Sequence, residues 1–180
     1  YLSLHQFPLF PGTGLLLETG GGSGQGRTVN LPMAGGKTDD DYFLAFDTLL
    51  LPILREFSPD TIIVSAGFDA HEADPLGGMA LSSAAYLRFT RRLLTVAEDL
   101  CHGRLLHVLE GGYNLEALAE SARLVLTVLA GTEAPRAGQP AQADSPAQAD
   151  SPAPAASPAQ APYRELEEAM VVQRQYWSSL

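Results

Sequence analysis

Apolar and polar positions fall into alternating blocks over the first 131 residues, and the blocks predict strands and helices in turn. Thr61 to Ser65 (TIIVS) is a continuous apolar and β-branched run, the pattern of a strand buried on both faces. Tyr1 to His5 and Arg104 to Leu109 read as two more strands, and Thr28 to Leu31 as a further short one. A long glycine-rich loop from Pro8 to Gly26 joins the first strand to that short one.

Two helices separate these strands and a third follows the last of them. Thr38 or Asp39 can cap the first, which runs to about Phe57 with its acidic residues at the favourable N-terminal end. Ser58-Pro59 stops it, because a residue before proline disfavours helical backbone. Ser82 caps the second, which runs to about His102, with Tyr86, Phe89, Leu93 and Val96 recurring at helical spacing. Gly103 ends it. Asn114 opens the third, which Gly131 closes. Strands alternating with helices predict an α/β fold with a parallel sheet and right-handed crossovers. The strands near 1–5, 61–66 and 104–109 are expected to be neighbours in it.

The pattern then breaks. Residues 132–162 are an Ala/Pro/Ser-rich linker in which AQADSP occurs at 141–146 and again at 147–152. Such a composition buries too little apolar surface to offset chain entropy, so a disordered spacer is expected. Residues 163–180 then form a C-terminal amphipathic helix with Tyr163, Leu166 and Met170 on one face. Docking on the core is the simpler reading of that face, and a partner site the other.

Composition narrows the class. The chain is 46% hydrophobic and 18% charged, as soluble globular proteins are, and no apolar run approaches the ~20 residues that span a bilayer. No basic-then-apolar signal segment opens it, and the start at Tyr1, inside a strand, reads as truncated. One cysteine, Cys101, cannot form an internal disulfide; it fits a reducing, cytoplasmic setting and a buried, inert role. The net charge of −10, with no basic patch, argues against direct binding of nucleic acid.

Candidate chemistry gathers after two strands. In VSAGFDAHEADPLGG (64–78), Asp69, His71 and Asp74 follow the apolar run directly, at the strand end where open α/β sheets place their sites. Asp-x-His in extended backbone can face one cation. Asp69, first after the strand, is read as functional; His71 is read as solvated and Asp74 as a turn initiator before Pro75. In LEGGYN (109–114), Gly111 and Gly112 permit close approach and Tyr113 presents a phenol on the same rim. Two phosphate-binding readings fail. Gly36-Lys37-Thr38 follows Leu31 and Pro32, where a phosphate loop needs glycine and an amide donor, and the run from Gly20 to Gly26 lacks a helix directly after it.

Four stretches together, SLHQFPLFPGTG (3–14), RTVNLP (27–32), SAGFDAHEADPLG (65–77) and LEGGY (109–113), resemble the histone deacetylase superfamily. Bacterial and class II-like members, related to acetylpolyamine amidohydrolases, are the most similar. The resemblance covers residues 1–131 and corresponds to about the C-terminal half of that family's arginase-like, three-layer α/β domain. It implies a zinc-dependent deacetylase that hydrolyses the amide of acetyl-lysine or a related acetylated amine. Asp69 matches one zinc ligand, and Tyr113 the donor to the acyl oxygen. Ser3 (hydroxyl) and Leu4 (carbonyl) match ligands of a structural potassium ion. Phe10 and Leu76 match walls of the acyl tunnel, with Gly112 and Tyr113 beside the substrate.

The family's upstream Asp-x-His zinc pair and tandem histidines have no counterpart here, and His5 matches a different, structural histidine. The chain therefore reads as a fragment, inactive alone, of an active enzyme. A small-amine or acetylpolyamine amidohydrolase is the alternative within enzymes, and a non-catalytic binding module of the same fold the alternative outside them.

Overall fold

The computed structural model describes residues 1–132 and 162–180. The expected linker falls mainly on residues 133–161, outside the described residues. Strand β1 (Leu2–Gln6) pairs in parallel with β2 (Val29–Met33), Leu4 opposite Leu31. Strand β3 (Ile62–Ala66) pairs in parallel with β4 (Leu105–Leu109), from Ile62 opposite Leu105 to Ala66 opposite Leu109. The expectation that β1 lies beside β3 in one sheet is thus corrected. β1 gives its paired edge to β2, and a cavity of about 1010 Å3, lined by Leu2 and Leu4 on one side and Ile62 and Val64 on the other, separates the two pairs.

Helix α1 (Asp39–Ala45) begins as its sequence predicts. Thr38 is the N-cap, and Asp41 Oδ2 accepts from both its amide and its hydroxyl at 2.9 Å. Asp39, Asp40 and Asp41 place negative charge at the positive end of the helix dipole. The expected single helix to Phe57 contains a π turn at Phe46–Leu50 before it resumes as α2 (Leu51–Phe57). Pro52 explains the wider turn: it has no amide hydrogen, and its ring crowds the carbonyl of Thr48 one turn back. α2 ends at Ser58 in left-handed backbone (φ 51°) just before Pro59.

The β3-to-β4 crossover is α3 (Ser83–Cys101), closed by His102 and Gly103 in left-handed backbone. Ser82 stands at its N-cap, yet its hydroxyl donates to Asp39 Oδ2 at 2.6 Å and its amide to Asp39 Oδ1 at 2.8 Å. One serine thereby ties the start of α3 to the start of α1. After β4, Asn114 Oδ1 accepts from the amides of Glu116 and Ala117 and starts α4 (Leu115–Leu129).

Phe89 joins these parts: its ring stacks on Phe46 at 4.6 Å and meets Phe43 and Tyr86 at 5.0 and 6.3 Å. Such pairs add to the free energy of simple apolar burial. Cys101 is buried in this core, as expected.

The C-terminal helix α5 (Arg164–Gln173) docks on β2, the simpler of its two readings. Leu166 and Ala169 are fully buried, and Tyr163 and Met170 pack beside them. Beyond the helix, Trp177 is buried and its indole N–H donates to the Gly26 carbonyl at 3.1 Å. No helix among the described residues is long and apolar enough to cross a membrane.

Candidate active site at the carboxyl ends of β3 and β4

The two paired strands deliver two loops side by side. Pairing continues past the strand ends, because the Glu110 amide donates to the Ala66 carbonyl at 3.1 Å and the Phe68 amide to the Gly111 carbonyl at 2.8 Å. Asp69 and Tyr113 follow these bonds by one and two residues respectively. Glycine is required between them. A Cβ on Gly111 would collide with an Asp69 carboxylate oxygen, and Gly112 (φ 134°) would bring a Cβ to 2.9 Å from Phe68 Cβ.

Asp69 is half-buried. Burial raises its carboxyl pKa and the charge of Asp74 adds to that, against a hydrogen bond from its own backbone. It forms no ion pair among the described residues. The buried phenols of Tyr42 and Tyr86 have pKa values pushed up by burial, with the charge of Asp69 contributing to both. Tyr86 Oη has no hydrogen-bond partner among the described residues. A partly dehydrated carboxylate without a cation is a donor suited to a metal ion. It is one donor only: among the described residues, no group of three His, Cys, Asp or Glu side chains could hold a metal.

The large cavity between the sheets brings together Ser3, Leu4, Phe10, Asp69, Leu76 and Tyr113. Phe10, Leu76 and Tyr113 reach it from solvent, Tyr113 being 56% exposed. Gly112 is not on the wall; a Cβ there would meet Phe68 and Leu118. On β1, His5 bridges Ser3 Oγ at 2.9 Å (Nδ1) and the Gly14 carbonyl at 3.1 Å (Nε2). A carbonyl only accepts, so Nε2 carries the proton and Nδ1 accepts from the Ser3 hydroxyl. The Ser3 oxygen then keeps its lone pairs for a cation. Burial lowers the His5 pKa, against the Gly14 carbonyl and the charge of Glu18, and favours the neutral ring that this arrangement needs.

Two neighbours differ from their sequence readings. His71 is buried rather than solvated: Nδ1 accepts from the Ala73 amide and Nε2–H donates to Ser83 Oγ, both at 3.0 Å. Both ring nitrogens are thus engaged within the protein. Asp74 does start a turn, its Oδ1 accepting from the amides of Leu76 and Gly77 at 2.9 Å. Its other oxygen accepts from the Tyr113 amide at 2.7 Å, a contact the turn motif gave no sign of. Lys37 pairs with Glu165 at 3.5 Å and lies 3.9 Å from the Tyr163 ring centroid.

Residues 1–129 match the Histone deacetylase domain. The chain belongs to the histone deacetylase family. It is 46% identical to "Histone deacetylase 10, chloroplastic" of Oryza sativa subsp. japonica over 121 residues, which are 67% of this chain and 27% of that protein. It is 42% identical to a "Probable deacetylase" of Archaeoglobus fulgidus over 132 residues, 73% of this chain and 37% of that one. The solved HDA15 HD domain superposes with a TM-score of 0.79 at 38% identity, covering 99% of this chain and 44% of that one. The chain therefore has part of the arginase-like α/β fold of its family, and it spans well under half of the two curated relatives' lengths.

Proposed function

We propose that these residues form part of the active site of a zinc-dependent deacetylase acting on acetyl-lysine or a related acetylated amine. The observation that carries this reading is the convergence of Asp69 and Tyr113 on one cavity at the ends of paired strands β3 and β4. Asp69 is one ligand of the metal; the others come from sequence beyond this chain. Bound zinc lowers the pKa of water toward ~7 and polarises a carbonyl.

The chain's own groups hold the substrate and polarise its carbonyl. Phe10 and Leu76 flank the acyl-amine arm and exclude water. The Tyr113 hydroxyl donates to the amide oxygen as negative charge develops there, a contact worth about 10²–10³ in rate for donors of this kind. Water adds to the carbonyl carbon, the C–N bond breaks, and both protons of the water end on the amine nitrogen, giving acetate and the protonated amine; no residue of this chain is matched to that proton transfer. Ser3, through its hydroxyl, and the Leu4 carbonyl would hold a structural potassium ion. Cys101, single and buried, supports a reducing cytoplasmic setting.

The exposed side chains of Ile63, Leu106 and Val108 support the fragment reading. They share the outer face of β3–β4, an apolar patch that a larger domain would cover. The test is hydrolysis of an acetyl-lysine peptide and of an acetylated polyamine by the zinc-loaded full-length protein and by this chain alone. Chelator-sensitive activity is expected of the first and none of the second. A zinc-bound full-length protein inert toward both substrates contradicts the reaction, and robust hydrolysis by this chain contradicts the fragment reading.

A further inference from the structure

Asp74 is 8% exposed and carries its charge without a cation among the described residues. Its carboxylate is spent on backbone amides in two loops. Oδ1 takes those of Leu76 and Gly77, and Oδ2 takes that of Tyr113, 39 residues further along the chain. Distances of 2.7–2.9 Å are those of charge-assisted hydrogen bonds.

The aspartate is itself anchored. Its amide donates to the His71 carbonyl at 2.9 Å, and His71 is fastened through Nε2 to Ser83 at the start of α3. A second strap runs parallel to the first, from Asn114 Nδ2 to the Ala73 carbonyl at 2.9 Å. A rigid line therefore runs from α3 through His71 and Asp74 to the Tyr113 backbone.

Tyr113 needs such a line. Its ring is largely in solvent, it follows a glycine with unusual backbone, and α4 begins only at Leu115. Its hydroxyl sits at the far end of a long side chain, so a small backbone rotation moves it by an ångström or more. A misplacement of ~1 Å can cost ~10² in rate.

Resting on the proposed role of Tyr113, we propose that Asp74 is a positioning residue. Its carboxylate sets the backbone from which Tyr113 reaches the acyl oxygen and, through the amides of Leu76 and Gly77, holds the neighbouring tunnel wall in the same register. An isosteric Asn has one acceptor oxygen and cannot serve both loops. It also turns an N–H group toward an N–H group.

The test is a double-mutant cycle in the zinc-loaded full-length protein with Asp74→Asn, Tyr113→Phe and the pair. Asp74→Asn alone is expected to lower kcat by ~10–10², with zinc content retained. In the Tyr113→Phe background, where the donor is already gone, the same change is expected to cost less than about threefold in kcat. Equal losses in both backgrounds, or no loss in the first, overturn the inference. Tyr113→Phe with undiminished kcat contradicts instead the role given to Tyr113. Should Asp74→Asn fail to fold, hydrogen exchange of the wild-type Tyr113 amide decides: protection is expected, and exchange at the rate of a free loop amide overturns it.

Discussion

The Phe68 amide donates to the Gly111 carbonyl at 2.8 Å, and that bond locks the loop of Asp69 to the loop of Tyr113. The strands that deliver the loops are parallel and in register, Ala66 opposite Leu109. Their spacing is therefore fixed by the sheet ladder and does not depend on loop flexibility. Open α/β folds place reactive groups at this edge for the same reason.

Gly111→Ala tests how closely the two loops are fitted. The added methyl would meet the Asp69 carboxylate, so either the loop or the carboxylate shifts. A stability loss of ~1–3 kcal/mol is expected from overpacking, together with weaker zinc binding in the full-length protein. Metal content by atomic absorption and a urea unfolding curve measure the two effects. A variant with native values of both would show that the contact is not tight.

Stability is expected to fall on mild acidification. Burial lowers the pKa of both His5 and His107, so the folded state disfavours their charged forms. Each contributes stability above its unfolded value of ~6.5 that is lost as pH falls toward the lower folded value. Asp69, with a raised pKa, works the other way, its share being lost as pH rises through the folded value. His107 Nδ1 is buried without a partner among the described residues, so His107→Phe is expected to flatten the pH slope. Thermal midpoints of the full-length protein at pH 7.5 and 5.5 measure it, and an unchanged slope in the variant would contradict the assignment.

The C-terminal segment is expected to be part of the folded unit. Trp177 fills a buried position, its indole bonds Gly26, and the Arg27 guanidinium lies 5.2 Å from its ring and 5.5 Å from that of Phe57. Trp177→Ala is expected to cost ~3–5 kcal/mol, read as a lower urea midpoint with little change in substrate affinity. A loss under ~1 kcal/mol would place this segment outside the cooperative core.

Strands β3 and β4 and helices α3 and α4 were legible in the sequence because their signals are local: apolar runs, helical spacing, and caps such as Asn114. What was missed is non-local or compensatory. The π turn arises where Pro52 meets the backbone one turn earlier, inside an otherwise ordinary helical pattern. Ser82 looked like a simple cap, yet its hydroxyl goes to Asp39, 43 residues away. Alternating elements suggest one sheet with β1 beside β3, whereas the ladder of β1 runs to β2. In the site, Asp69 and Tyr113 stood out because each follows a strand. The Asp74 link to Tyr113 did not, since an aspartate before proline already has a sufficient local explanation as a turn.

In the proposed reaction Asp69 holds the metal while Tyr113 stabilises charge in the transition state. Asp69→Asn and Tyr113→Phe in the full-length protein, compared for zinc content and kcat on an acetyl-lysine peptide, test it most directly. Asp69→Asn is expected to lose zinc, because a neutral amide is a poorer ligand than a carboxylate. Tyr113→Phe is expected to keep zinc and lose ~10²–10³ in kcat with KM little changed, as when a contact made only in the transition state is removed. Full zinc content in Asp69→Asn, or wild-type turnover in Tyr113→Phe, would contradict the account.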